Sequence, residues 1–133
     1  LVGAEVTLPY EERVQCLVER RVALWDVCAS ARRSGSLDTA IRPASVLPND
    51  ISGFLRSHAD VRLIGFNGVK ASELFRRLVL PALPPSSRRI YRLTLPSTSP
   101  AYARMPFDKK RDAWWEALSG RVSGASHEHL RPA

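Results

Sequence analysis

Three short apolar runs, each ending in a polar break and separated by helix-patterned segments, constrain this chain more than any other feature. They are Val22-Ala23-Leu24-Trp25-Asp26-Val27, Val61-Arg62-Leu63-Ile64-Gly65-Phe66 and Arg89-Ile90-Tyr91-Arg92-Leu93-Thr94. Runs this short and rich in β-branched and aromatic residues read as buried strands. Before the first run, Pro9 suits a helix first turn with Glu11 and Glu12 near the positive end of the dipole, and Tyr10, Val14, Leu17 and Val18 recur on one helical face. Pro48-Asn49-Asp50 caps a helix carrying Ile51, Phe54 and Leu55. Asn67-Gly68 turns the chain into a helix with Leu74, Phe75 and Leu78 on one side, stopped by Pro81, Pro84 and Pro85. A last helix runs from about Pro106 to Leu118 with Phe107, Trp114 and Leu118 facing inward. Residues 32–48 form an irregular connection with one turn at Leu37–Ile41. Strands alternating with helices imply an α/β fold with a mainly parallel sheet covered on both faces. We expect one domain over residues 1–120 and a polar, loose tail over 121–133.

The chain has 133 residues, 44% apolar and 25% charged, which is the balance of a folded domain with a real core. No apolar stretch approaches the roughly 20 residues that span a bilayer, so no membrane partner is expected. Leu1-Val2-Gly3-Ala4-Glu5 is no signal peptide, and without an initiator Met it fits a start inside a longer chain. Cys16 and Cys28 lie too far apart for a CxxC site and fall in apolar patterns, so they read as buried free thiols in a reducing cytoplasm. Three histidines and two cysteines do not make a four-ligand metal site, and no metal is expected.

The net charge of +7 is placed unevenly. Basic and acidic groups cancel over residues 1–75, whereas Arg76, Arg77, Arg88, Arg89, Arg92, Arg104, Lys109, Lys110 and Arg111 face Asp108 alone over residues 76–111. A local positive field of this kind attracts polyanions, nucleic acid first. A solvated surface in an Arg-rich chain is the plainer reading, with seventeen Arg against three Lys. Within the basic region sits Leu95-Pro96-Ser97-Thr98-Ser99-Pro100-Ala101. Two prolines and three hydroxyl residues cannot continue a strand, so the chain leaves the sheet as a stiff polar loop.

Ligands of open α/β sheets bind at the carboxyl ends of the strands. Three polar elements fall there: Asp26, Asn67-Gly68 and Leu95–Pro100. Asn67 can donate and accept at once, which suits a base edge, or it serves the turn, since Asn-Gly favours positive φ. Asp26 either orients a water or ligand or caps a neighbouring loop. Ser97, Thr98 and Ser99 either offer hydroxyls and N–H groups to a phosphate or close plain ST-turns. Asp108, Asp112 and Glu116, interleaved with Lys109, Lys110 and Arg111, read as a solvated helix face rather than an acid/base pair. No catalytic triad or phosphate-binding glycine loop is present.

Ala23-Leu24-Trp25-Asp26-Val27, Gly35-Ser36-Leu37-Asp38, Phe66-Asn67-Gly68-Val69-Lys70-Ala71 and Leu95–Ala101 together resemble the uracil-DNA glycosylase superfamily, nearest its hypoxanthine (deoxyinosine) DNA glycosylase branch. The resemblance runs from about Leu8 to Leu118. It implies a three-layer α/β/α sandwich with a four-stranded parallel sheet. It also implies hydrolysis of the N-glycosidic bond of a deaminated base flipped from double-stranded DNA, without metal or organic cofactor; separately, a monomer is expected. Asn67 then occupies the base-reading position with Gly68 beside it, and Leu95, Pro96, Ser97, Thr98, Ser99 and Pro100 form the loop that enters the minor groove. Arg88, Arg89, Lys109 and Lys110 are the expected phosphate contacts. The superfamily often has His where Leu95 stands, so no histidine electrophile is expected. The family's first strand, its Gly-Ser-x-Pro-Gly-like loop and its His-Pro-Arg-Asn-like segment have no counterpart here; Asn49 and Asn67 are the only asparagines. The main catalytic group is therefore expected upstream of Leu1, with Asp26 the candidate inside the chain, and the chain as given is expected to be inactive. The absent strand would be central in the sheet. A non-catalytic DNA-binding remnant is the alternative.

Overall fold

The computed structural model describes residues 4–30 and 46–122. The expected turn at Leu37–Ile41 and the tail after residue 122 lie outside the described residues. Contacts gather the chain into two compact units, one of residues 1–25 with 107–133 and the other of residues 26–106.

In the first unit, α1 spans Tyr10–Glu19, with Glu11 and Glu12 in its first turn as expected. Its end is a Schellman hook: the Val22 N–H reaches the Leu17 carbonyl at 2.9 Å and the Arg21 N–H that of Val18 at 2.9 Å. Arg21 takes the left-handed position with φ 55°. On the expected apolar face, Leu17 is half-buried while Tyr10, Val14 and Val18 are exposed. The expected strand Val22–Val27 is corrected. Residues 22–26 have no ladder partner among the described strands, and Leu24 is 85% exposed. An apolar run becomes a strand only where a neighbour takes its N–H and C=O groups. α5 spans Phe107–Val122. Trp114 is half-buried, but Phe107 opens the helix and is 76% exposed rather than facing inward.

The second unit begins with a short antiparallel pair, β1 (Cys28–Ser30) on β2 (Leu47–Pro48). Asp50 then caps α2 (Ile51–Ser57), its Oδ1 accepting from the Gly53 N–H at 2.8 Å. β3 (Leu63–Asn67) lies parallel to β4 (Tyr91–Leu95), with Leu63 opposite Tyr91 and Asn67 opposite Leu95. A parallel pair needs a long crossover. It is supplied by α3 (Val69–Leu74), a π-turn at Phe75–Val79, a 3₁₀ turn at Leu80–Ala82 and α4 (Pro85–Arg88). The fold is thus mixed α/β with a small parallel sheet; the described strands form two two-stranded sheets, not one continuous parallel one. The core joins Leu55, Phe66, Phe75, Val79 and Leu83, with Ile51, Phe54, Ile64 and Leu78 packed against it. Phe75 is fully buried and its ring lies 5.0 Å from that of Phe66, tilted by 54°. Cys16 and Cys28 form no disulfide and are half-buried rather than buried, Cys28 packing at the margin of the cluster of Val46 and Leu74. No helix among the described residues is long and apolar enough to cross a membrane.

Candidate functional site

The parallel register fixes the site. Asn67 and Leu95 end their strands side by side, so the loop after Leu95 starts next to the turn after Asn67. Asn67 Nδ2 donates to Thr98 Oγ1 at 2.8 Å, and the Thr98 N–H donates to Asn67 Oδ1 at 2.8 Å. Both polar atoms of the amide are therefore engaged by one residue of the loop, and the amide's orientation is fixed. Asn67 is nonetheless exposed.

Gly68, not Asn67, takes the unusual backbone conformation, with φ 92° and ψ 166°. Its N–H reaches the Leu95 carbonyl at 3.0 Å, tying the two strand ends together. A Cβ at Gly68 would stand 3.1 Å from the Ser97 Cβ. Gly68→Ala should therefore cost about 1–3 kcal/mol, the range for a non-glycine residue held in a sparsely populated conformation. Gly65→Ala, whose Cβ would meet only a Leu95 methyl at 3.4 Å, should cost clearly less. Urea denaturation of both variants checks this. Equal losses would mean that the turn does not need its positive φ.

The loop is closed by its own backbone. The Ser99 N–H donates to Ser97 Oγ at 3.2 Å, the Ala101 N–H to Ser99 Oγ at 3.3 Å and the Tyr102 N–H to the Ser99 carbonyl at 3.0 Å. These are the ST-turns offered as the plainer reading. With the N–H groups of residues 98, 99, 101 and 102 already bonded, the loop does not present them to a phosphate. A hydroxyl that accepts an N–H can still donate its own hydrogen. Ser97 and Thr98 keep that capacity.

The other expected site residues are distributed differently. Leu95 is the last residue of β4 and is buried, so it belongs to the core rather than to a DNA-contacting loop surface. Asp26 precedes β1 instead of ending a strand beside β3, which corrects its expected place among the strand ends. Its carbonyl accepts from Asn49 Nδ2 at 2.8 Å, and the Asn49 N–H reaches the Val27 carbonyl at 2.9 Å. Asn49 is thus a structural clasp. Arg88 spends Nε on the Leu83 carbonyl at 2.9 Å and Nη2 on the Pro81 carbonyl at 3.0 Å, closing the turn after the 3₁₀ segment. Lys110 is 9% exposed, whereas Arg89 and Lys109 are exposed. Arg111 sits on its own helix between Asp112 at 2.9 Å and Asp108 at 3.3 Å, and the hydrogen bond and charge of Asp112 raise its pKa above the ordinary value.

What sequence reasoning missed is the tie between Asn67 and Thr98, 31 residues apart. Aligning the two strand runs in parallel would have placed Thr98 three residues beyond Asn67's partner.

The parallel strand pair thus ends in an asparagine amide held against a Pro/Ser loop, the site of a mixed α/β protein, and comparison with known proteins names its relatives. The chain is 35% identical over 111 residues to the hypoxanthine DNA glycosylase of Methanosarcina acetivorans, an alignment covering 84% of this chain and 63% of that protein. It is 28% identical over 74 residues to the hypoxanthine DNA glycosylase of Methanosarcina barkeri, covering 55% and 46%. Its fold matches the solution structure of a Methanosarcina acetivorans protein, provisionally described as a uracil DNA glycosylase, with TM-score 0.63 and 31% identity over 87% of this chain and 65% of that one. No protein-family model matches. The chain is a homologue of the hypoxanthine DNA glycosylases within the uracil-DNA glycosylase superfamily, and it spans less than two thirds of the length of these relatives.

Proposed function

We propose that this chain carries the base-holding and DNA-gripping part of a base-excision repair glycosylase acting on deaminated bases, hypoxanthine and/or uracil, flipped from double-stranded DNA. The observation that carries the reading is the Asn67 amide, held in one orientation at a strand end beside the stiff 96–100 loop. An amide pairs with a base edge through adjacent donor and acceptor atoms. Those are the two atoms that Thr98 now engages, so base entry requires Thr98 to give way. In the reaction the bond between the sugar C1′ and the base nitrogen breaks, its electron pair leaves with the base, and a water oxygen bonds C1′ and sheds a proton. The sugar passes through an oxocarbenium-like state. Asn67 holds the departing base, and the loop occupies the minor groove while the base is out. We assign water activation to none of these residues; Asp26 stays the carboxylate candidate of the chain. In this reading residues 1–120 act as one domain of a three-layer sandwich, as a cytoplasmic monomer that uses no cofactor.

A second reading, a non-catalytic DNA-binding remnant, is favoured by one fact: the donor–acceptor edge of Asn67 is already filled. The side-chain amide resonance of Asn67 separates the two. With a duplex containing one hypoxanthine or uracil it should shift, and with the undamaged duplex it should stay in place. An equal response to all duplexes would leave only the remnant.

A further inference from the structure

The basic surplus of residues 76–111 needs a second accounting, because the structure uses several of its charges internally. Arg88 closes a turn, Lys110 is buried and Arg111 is paired with Asp108 and Asp112. Two other arginines converge. Between α3 with its π-turn and β4 lies a groove of about 250 Å³, lined by Arg76, Arg92, Ser72 and Thr94 over Phe66 and Phe75.

The convergence follows from element geometry. Arg92 and Thr94 alternate onto the same face of β4, opposite Ile64 and Phe66 of β3. Ser72 and Arg76 are four residues apart on the crossover helix and so share a face. Four polar side chains from two elements thus border one concavity that no acidic side chain lines. Arg92 spends one N–H on the Arg88 carbonyl at 3.0 Å, out of the five a guanidinium carries. Among the described residues neither Arg76 nor Arg92 has a carboxylate partner.

Two guanidiniums beside two hydroxyls over an apolar floor, without a counter-charge, make an environment for an anion with several acceptor oxygens. Thr94 is one residue short of the strand end where the 96–100 loop begins. The groove therefore borders the same strand that leads into that loop. We propose that the Arg76–Arg92 groove binds a backbone phosphate of the DNA, an inference that rests on the DNA glycosylase reading and adds a phosphate contact to it.

The test is the salt dependence of the full chain binding undamaged duplex DNA, followed by fluorescence anisotropy, for the wild type, Arg76→Gln and Arg76→Gln/Arg92→Gln. Each lost phosphate contact should lower the log–log salt slope by about one, and affinity should fall equally for all sequences. Arg76 is exposed, so the single variant reports on the groove even if replacing Arg92 disturbs β4. Inorganic phosphate is titrated in parallel. If wild type binds DNA and both variants keep its affinity and slope, the groove proposal is overturned while the DNA reading stands. If the variants lose only inorganic phosphate binding, the groove takes a free anion and the proposal is again overturned. If the wild type does not bind DNA, the glycosylase reading fails and this inference fails with it.

Discussion

Asn67→Ala should lower excision of a deaminated base by about 10- to 100-fold if the glycosylase reading holds, while binding to undamaged duplex changes less than about threefold. The size follows from the roughly 1–3 kcal/mol that a bidentate side-chain pair to a base edge contributes, at 1.4 kcal/mol per factor of ten. The substitution also removes the tie to Thr98, so a control is needed. Thr98→Val takes away the hydroxyl that accepts from Asn67 but leaves the amide and the Thr98 backbone N–H in place. If Asn67 acts on the base, Thr98→Val should retain most of the excision rate. If Asn67 serves only to hold the loop, the two variants should lose activity alike. Single-turnover excision and equilibrium DNA binding, measured on both variants, decide between these outcomes.

Phe75→Ala should be the most destabilising single truncation in the 26–106 unit, by about 3–5 kcal/mol. Phe75 is 2% exposed, packs on Phe66 at 5.0 Å between ring centroids, and sits where α3 widens into its π-turn. Truncation removes the apolar contact and leaves a void that the close-packed neighbours fill only in part. Against a typical domain stability of about 5–15 kcal/mol this is a large share. Phe107→Ala removes the same side chain from a 76% exposed position and should stay within about 0.5 kcal/mol. Urea midpoints of the two variants test the contrast. A loss below about 1 kcal/mol at Phe75 would show that this cluster does not hold the unit together.

These residues also show where the chain was readable. α2, β3 and β4 were legible because their signals are local: an Asp50 cap, and apolar runs bounded by Asn67-Gly68 and by Pro96. The Val22–Val27 run carries the same local signal, yet it has no ladder among the described residues, since pairing depends on a neighbour that composition does not reveal. The basic region was legible as a total and not as a surface. Whether an exposed arginine closes a turn, as Arg88 does, depends on carbonyls brought close only by the fold. The site was half legible. Asn67 and the loop stood out by residue type, but the bond that joins them crosses 31 residues and appears only with the β3–β4 register.

The most direct test of the glycosylase reading is the product itself. Full-length protein is incubated with duplex DNA carrying a single hypoxanthine or uracil, and abasic sites are revealed by alkaline strand cleavage. The reading predicts cleavage at the deaminated position on at least one of the two substrates and none on the matched undamaged duplex. Intact DNA on both substrates, from folded protein that binds them, would contradict it.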